Sequence, residues 1–152
     1  MSELLPPDDR WARPEGADDD TVEAAGKVTE ALEWVERARG HLYEFHQLMG
    51  RADILYGDAA GALRDAGHDK LADLVQTELV GRNVLNGRWT FQIVEEFDDG
   101  YYQSVQAIDA QVRDELLGGR RHVFEAELKE RRRSHGRRWH EGRPTDEPGA
   151  EG

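Results

Sequence analysis

The sequence predicts an all-α fold, and two observations carry that prediction. Apolar residues recur at steps of three and four along most of the chain, which is the spacing of an amphipathic helix. Glycine-containing breaks and helix-capping patterns separate these stretches from one another. Together they predict an elongated helical bundle of three to four helices, with a long first helix and disordered termini.

The first helix is predicted over residues 20–66. Asp20 and Glu23 form a capping-box pattern at its start, and Gly67 supplies a C-terminal stop. Its apolar stripe passes Gly50 in register, so the helix is either continuous or kinked near Gly50. The glycines on one face fit either the close approach of a neighbouring helix or compositional drift. The stripe residues are Ala25, Val28, Leu32, Val35, Leu42, Phe45, Met49, Ala52, Leu55, Ala59, Leu63 and Ala66; the glycines are Gly50, Gly57 and Gly61.

Three shorter helices are predicted over residues 69–85, 90–117 and 120–133. Asp69 can cap the first of these and Thr90 the second, where Trp89 and Val94 are placed as a hydrophobic staple. The stripe of helix 90–117 crosses Asp98 to Gly100 without losing register, which favours a helix over a turn there. This register predicts that Ile93, Phe97 and Tyr101 point inward, and that Glu95, Glu96 and Asp99 point outward.

The domain prediction is a single helical domain over residues 20–133. Residues 1–19 contain three of the five prolines and a run of acids, so they are predicted to be a disordered leader. Residues 134–152 have no apolar stripe to bury and are predicted to be a disordered polar tail. A continuous first helix would be roughly 70 Å long, too long for the later helices to cover. The stripe near residues 28–42 must then meet the C-terminal helix or a second copy, which predicts a homo-oligomer, namely a dimer.

Composition bounds the cellular setting. The chain has no cysteine, no apolar run long enough for a membrane span, and no secretory pattern at its N-terminus, so a cytoplasmic protein is predicted. The net charge of −12 is uneven, because residues 1–118 carry −14 and residues 119–143 carry +5. An acidic body disfavours nucleic acid, which only the basic C-terminal arm, residues 120–139, would contact.

The segment 88–102 holds five of the twelve aromatic residues, interleaved with carboxylates. Interface centres are enriched in Trp, Tyr, Phe and Arg. These observations predict a non-enzymatic protein-binding or scaffold module that uses this segment and the basic arm. The predicted binding residues are Arg88, Trp89, Phe91, Tyr102, Arg120, Arg121, Arg131, Arg132 and Arg133. Core packing is the alternative role for Trp89, Phe91 and Tyr102. No cofactor is predicted under this interpretation.

The alternative function is a ferritin-like metal-binding bundle holding a divalent metal or a di-iron centre. His41 and Glu44, and His122 and Glu125, each place an imidazole and a carboxylate one helical turn apart. The order is reversed relative to the Glu-x-x-His pairs of di-iron bundles, and surface pairs of this spacing are common. Nucleophile, phosphate-loop and zinc-protease motifs are absent from the sequence.

Two segments, GRNVLNGRWTFQIVEEFDDGYY at residues 81–102 and GGRRHVFEAELKERRR at 118–133, resemble an uncharacterised family of small acidic helical proteins of high-GC bacteria. The resemblance covers about residues 28–133. It implies that the two segments belong to one domain, and it implies no activity, cofactor or catalytic residue.

Overall fold

The computed structural model of the protein describes residues 7–146. Residues 1–6 of the predicted leader and 147–152 of the predicted tail lie outside the described residues. The helices are α1 (Asp19–Asp65), α2 (Asp69–Glu78), α3 (Thr90–Phe97), a π-helical segment (Asp98–Tyr102), α4 (Gln103–Leu117) and α5 (Val123–Arg132). Because α3, the π-helical segment and α4 follow without a break, they correspond to the single helix predicted over 90–117. The all-α prediction is confirmed, with no regular strand among residues 7–146.

Helix α1 is continuous through Gly50, so the alternative of two helices divided near Gly50 is wrong. Its N-terminus is capped two residues earlier than predicted, by Asp18 instead of Asp20, since Asp18 Oδ1 accepts the Thr21 N–H at 2.8 Å. Gly67 adopts a φ of +82° and ends the helix as predicted. Close packing does not explain the glycines at 50, 57 and 61, because no atom lies within 4 Å of a Cβ built there. None of the described helices is long and apolar enough to cross a membrane.

Helix α2 ends at Glu78, seven residues before the predicted end. The chain turns at Gly81, whose φ is +72°, and Asp53 Oδ1 of α1 accepts the Gly81 N–H at 2.7 Å. The segment that follows turns again at Gly87, where the backbones of Leu85 and Arg88 pair. These turns place the chain at Trp89, where α3 begins.

The chain divides into two compact units. Both contain residues from the range 20–133, which was predicted as one domain. Unit 1 contains residues 7–32 and 106–146 of the described chain, and unit 2 contains residues 33–105. Helix α1 therefore contributes its first part to unit 1 and the rest to unit 2.

Unit 1 is organised around a small apolar core of Val22, Ala25, Leu117 and Val123. Unit 1 also buries the carboxylates of Asp109 and Glu130. Asp109, which is 2 % exposed, accepts hydrogen bonds from Thr29 Oγ1 and Arg113 Nε, each at 2.8 Å. Burying a carboxylate costs little only when it is paired in this way.

The described parts of the predicted leader and tail form turns that touch the helices of unit 1. Arg13 donates two hydrogen bonds to the carboxylate of Glu127 on α5, at 2.9 and 3.0 Å. The hydrogen bond to Glu127, followed by one to Asp19, raises the pKa of Arg13. Arg143 of the tail lies 2.7 Å from Asp8 of the leader. Disorder of the two termini in solution stays a prediction.

Unit 2 buries few side chains among its described residues. Ala60, Ala72, Val94 and Thr90 are its buried positions, and three of these four side chains are small. Thirteen large apolar or aromatic side chains in unit 2 are exposed, against five in unit 1. Polar contacts therefore carry much of what holds this unit together.

Candidate functional site

The π-helical segment explains where the predicted aromatic residues point. A π-helix closes its backbone ring over five residues instead of four, so each turn holds one residue more than an α-helix. The inward register consequently shifts by one. Tyr101, predicted to point inward, is 60 % exposed, and Tyr102 takes the half-buried position. The prediction for Tyr101 is wrong, whereas half-buried Ile93 and Phe97 and exposed Glu95, Glu96 and Asp99 agree with the predicted register.

Asp98 anchors this segment to α1. Arg39 donates two hydrogen bonds to the Asp98 carboxylate, Nε to Oδ1 at 2.8 Å and Nη2 to Oδ2 at 3.1 Å. Tyr43 donates a third from its hydroxyl, at 2.7 Å. This two-pronged pairing of arginine with a carboxylate fixes orientation as well as distance. It holds the segment at a defined position on α1.

Tyr102 belongs to the same network. Its hydroxyl donates to Glu36 Oε1 at 2.7 Å, its ring stacks on Phe97 at 6.2 Å, and the Arg39 guanidinium lies 4.5 Å from its ring centre. Tyr102 was predicted as a binding residue. These contacts lie within unit 2, as in the core-packing alternative, while its neighbour Tyr101 is 60 % exposed; binding by Tyr102 stays a prediction.

The pKa shifts in this network come from the contacts that hold the π-helical segment on α1. Hydrogen bonds from Arg39, and then from Tyr43, lower the pKa of Asp98. The bond to Asp98 raises the pKa of Tyr43, and the bond to Glu36 raises the pKa of Tyr102. Shifted pKa values often mark catalytic sites. Here each shift has its main cause in a direct partner within the network, which keeps the carboxylate charged and the phenols neutral.

A cavity of about 120 Å³ lies in unit 2 next to Trp89 and Phe91. The two rings meet edge to face at 6.4 Å, and the Trp89 indole N–H donates to the Arg82 carbonyl at 2.8 Å. Small-molecule sites usually measure roughly 300–1,000 Å³, so this cavity suits a group the size of one side chain. Its lining is formed by His46, Met49, Gly50, Asp53, Tyr56, Leu79, Arg82, Val84, Trp89, Thr90 and Phe91.

The start of α3 beside this cavity differs from the prediction. Thr90 is the first helical residue rather than the cap, and Gln92 Oε1 accepts the Trp89 N–H at 2.8 Å. The Thr90 hydroxyl is used elsewhere, since it lies 2.7 Å from His46 Nδ1 of α1. His46 was not among the predicted residues, because its partner is 44 positions away in the sequence. Arg88, predicted to bind, pairs with Glu96 at 2.7 Å on the surface.

The basic arm divides into engaged and exposed arginines. Arg133 is half-buried and donates to Glu130 Oε1 at 2.7 Å and to the His140 carbonyl at 3.1 Å. Arg120 donates to the Asp9 carbonyl at 3.3 Å. Three arginines predicted to bind, Arg121, Arg131 and Arg132, are exposed. They remain candidates for contact with an acidic surface.

The second cavity, of about 530 Å³, lies in unit 1 beside the arm. Trp11 and Trp139 contribute aromatic surface to it, and Lys129 and Glu125 contribute opposite charges. Trp139 is 80 % exposed and has a φ of +72°. The mixed charge of the lining selects no ligand class.

The described residues do not support the metal alternative. His41 Nδ1 lies 3.7 Å from Glu44, and His122 Nδ1 lies 3.9 Å from Glu125, with all four side chains exposed. His122 is not on a helix as expected, because it precedes α5 in a left-handed conformation with a φ of 58°. Within residues 7–146, no three His, Asp or Glu side chains are close enough together to hold a metal ion.

One surface was missed by the sequence prediction. Phe45 and Leu55 were assigned to the apolar stripe of α1, and they are 41 % and 47 % exposed. Trp34 and Leu48, at 61 % and 62 %, share their face. The inner face of this part of α1 lies instead along Arg39, Leu42, His46 and Asp53. Residues seven positions apart lie on the same side of a helix. Comparing such residues would have separated the exposed apolar face from the inner face, which contains the polar residues Arg39, His46 and Asp53.

Comparison with known proteins does not assign the chain to a family. No protein-family model matches the chain, and no match was found among curated proteins or among solved structures. The resemblance to a family of small acidic helical proteins stays a prediction.

Proposed function

We propose that the protein is a non-enzymatic protein-binding module that associates with a second copy of itself through unit 2. The exposed apolar surface of unit 2 supports this proposal most strongly. Large exposed apolar patches mark interaction sites in soluble proteins. Trp34, Leu48 and Ile54 on α1, each close to 60 % exposed, belong to this surface.

The polar network of unit 2 favours binding over catalysis. Arg39, Tyr43 and Asp98 satisfy one another, which suits holding a surface in place rather than moving a proton. The anchored π-helical segment presents Tyr101, 60 % exposed, and α3 presents Phe91, 45 % exposed, to a protein partner. A cytoplasmic location remains a prediction from the absence of cysteine.

Self-association is tested by light scattering and sedimentation at micromolar concentrations. The expected mass is twice that of the 17.3 kDa chain. A monomer throughout this range contradicts the proposed self-association.

The second surface is tested by site-specific photo-cross-linking in the native host. A photoreactive amino acid at Phe91 or Tyr101 is expected to give a cross-linked product of defined mass. The same amino acid at Gln103, an exposed polar position in the same helical run, is the matched control. Absence of product at both aromatic positions, or equal product at Gln103, counts against a role for residues 88–102.

The arm extends the proposed module towards acidic partners. Arg131→Glu/Arg132→Glu is expected to elute earlier from a heparin column, used here as a polyanion probe. Lys27→Glu/Lys70→Glu changes the net charge equally at exposed positions outside the arm and is the control. Equal shifts for both variants would mean that overall charge, not the arm, governs retention.

A further inference from the structure

Helix α1 carries an exposed seam of nine residues in unit 2. The residues are Trp34, Ala38, His41, Phe45, Leu48, Ala52, Leu55, Ala59 and Ala62; Ala52 is half-buried and the others are exposed. Their spacing alternates four and three residues without interruption, which is the a/d pattern of a coiled coil. Phe45, Ala52 and Ala59 occupy a positions, and Leu48, Leu55 and Ala62 occupy d positions.

We infer that this seam pairs antiparallel with the seam of a second copy, with Phe45 of one copy packed against Leu48 of the other. The inference names the surface for the proposed self-association and rests on it. Position b, represented by Arg39, His46, Asp53 and Ala60, faces the interior of unit 2, so it is not available to a partner.

Side-chain size supports this register. An antiparallel pair brings each a position opposite a d position of the partner. With Phe45 opposite Leu48, Trp34 meets Ala59 and Leu55 meets Ala38. Large residues therefore face small ones on both sides of the centre, which lets two helices interdigitate at a close distance. At about 1.5 Å per residue, the pairing from 34 to 62 extends over about 42 Å.

Charge supports the same register. The g positions, which flank the seam on its solvent side, are Arg37, Glu44, Arg51 and Asp58. In the antiparallel register, Glu44 of one copy lies beside Arg51 of the other, and Arg37 beside Asp58. Each dimer thus gains four pairs of opposite charge. Within residues 7–146, Arg51 and Asp58 form no ion pair inside the chain, so both are available, and Glu44 has only an exposed contact of 3.7 Å with His41.

Neighbouring registers lose this match. A shift of one heptad in one direction brings Glu44 beside Glu44 and Arg37 beside Arg51. A shift in the other direction brings Arg51 beside Arg51 and Glu44 beside Asp58. Like charges at these positions disfavour a register. A parallel pair would place g beside e, and the e positions Val35, Leu42 and Met49 carry no charge.

The first experiment reads orientation with introduced cysteines, since the chain has none. Ala38→Cys/Leu55→Cys places thiols on facing positions, and oxidised glutathione is expected to convert it into a disulfide-linked dimer. In each single variant, the cysteine of one copy lies about 26 Å along the antiparallel pair from the cysteine of the other copy. The single variants are therefore expected to stay unlinked. Linkage of the single variants instead would indicate a parallel pair and overturn the inference.

The second experiment reads register. Glu44→Arg is expected to weaken the dimer about tenfold, because two attractive pairs become repulsive. Glu44→Arg/Arg51→Glu restores opposite charges and is expected to recover the affinity. Failure of the double variant to recover would overturn the register.

The outcomes separate the two levels of the proposal. A monomeric wild-type chain removes both self-association and the seam. A wild-type dimer whose Ala38→Cys/Leu55→Cys variant does not cross-link keeps self-association and removes the seam. Leu71→Glu on α2, an exposed apolar position outside the seam, controls for added charge and is expected to leave the dimer intact.

Discussion

Units 1 and 2 use the same helices in different ways. Unit 1 closes around Val22, Ala25, Leu117 and Val123, and its buried Asp109 and Glu130 each accept a hydrogen bond from an arginine. Unit 2 buries mainly small side chains and leaves Trp34, Leu48 and Leu55 in solvent. Apolar burial is the dominant favourable contribution to folding. A unit that leaves thirteen large apolar side chains exposed would gain stability from a partner that covers them, which is what the proposed self-association supplies.

The largest expected effect tests the core of unit 1. Leu117→Ala removes a side chain that is 5 % exposed, and we expect a loss of about 2 kcal/mol in the free energy of unfolding. Urea unfolding followed by circular dichroism measures it. The neighbouring Leu116, 41 % exposed on the same helix, provides the control Leu116→Ala, which should cost under about 0.5 kcal/mol. Equal losses would remove the distinction between core and surface on α4.

The next prediction separates the units directly. Hydrogen exchange within residues 34–62 should slow as protein concentration rises, because dimerisation stabilises unit 2 by mass action. A tenfold change in concentration should alter the protection there by up to about threefold, because the dissociated fraction of a dimer falls with the square root of concentration; this is equivalent to about 0.7 kcal/mol per chain. Peptides from 109–132 in unit 1 should not respond. A uniform response, or none, would contradict the proposed difference between the units.

A smaller effect concerns the anchor in unit 2. The folded-state pKa of Asp98 lies below its ordinary value of 3.8, so the charged carboxylate stabilises the folded state above that value. This stabilisation is lost as pH falls through the lowered pKa. The urea midpoint should therefore fall between pH 5 and pH 2, and the fall should be smaller in Asp98→Asn. The exposed neighbour variant Asp99→Asn should retain the wild-type pH dependence; a matching reduction there would rule out a specific anchor.

The smallest expected effect is that of His41→Ala and His122→Ala. Both imidazoles are exposed within the chain and belong to two-residue pairs, so neither substitution should alter the melting temperature of the monomer; His41 also lies on the seam, so the two variants are compared below the concentration at which the chain dimerises. Elemental analysis of the wild-type protein should find no stoichiometric metal. A bound metal that both variants lose would revive the metal-binding alternative.

The sequence by itself determined the helices and most of their ends. The boundaries of α1 lie within one residue of the prediction, and α3 to α4 span the predicted range. Such features are local, since caps, positive-φ glycines and backbone bonds link residues within one or two turns. The concentration of aromatic residues at 88–102 was also readable, although their individual roles were not.

The tertiary structure alone decided which faces are inner ones. Because of the π-helical segment, Tyr102 and not Tyr101 is the half-buried residue. On α1, Arg39 and His46 lie on the inner side because they bond to Asp98 and Thr90, whereas Phe45 is exposed. Helical periodicity lists apolar residues, but it does not show which of two faces meets the same chain. That choice depends on residues such as Asp98 and Thr90, 59 and 44 positions away from their partners, whose contacts form only when the chain has folded.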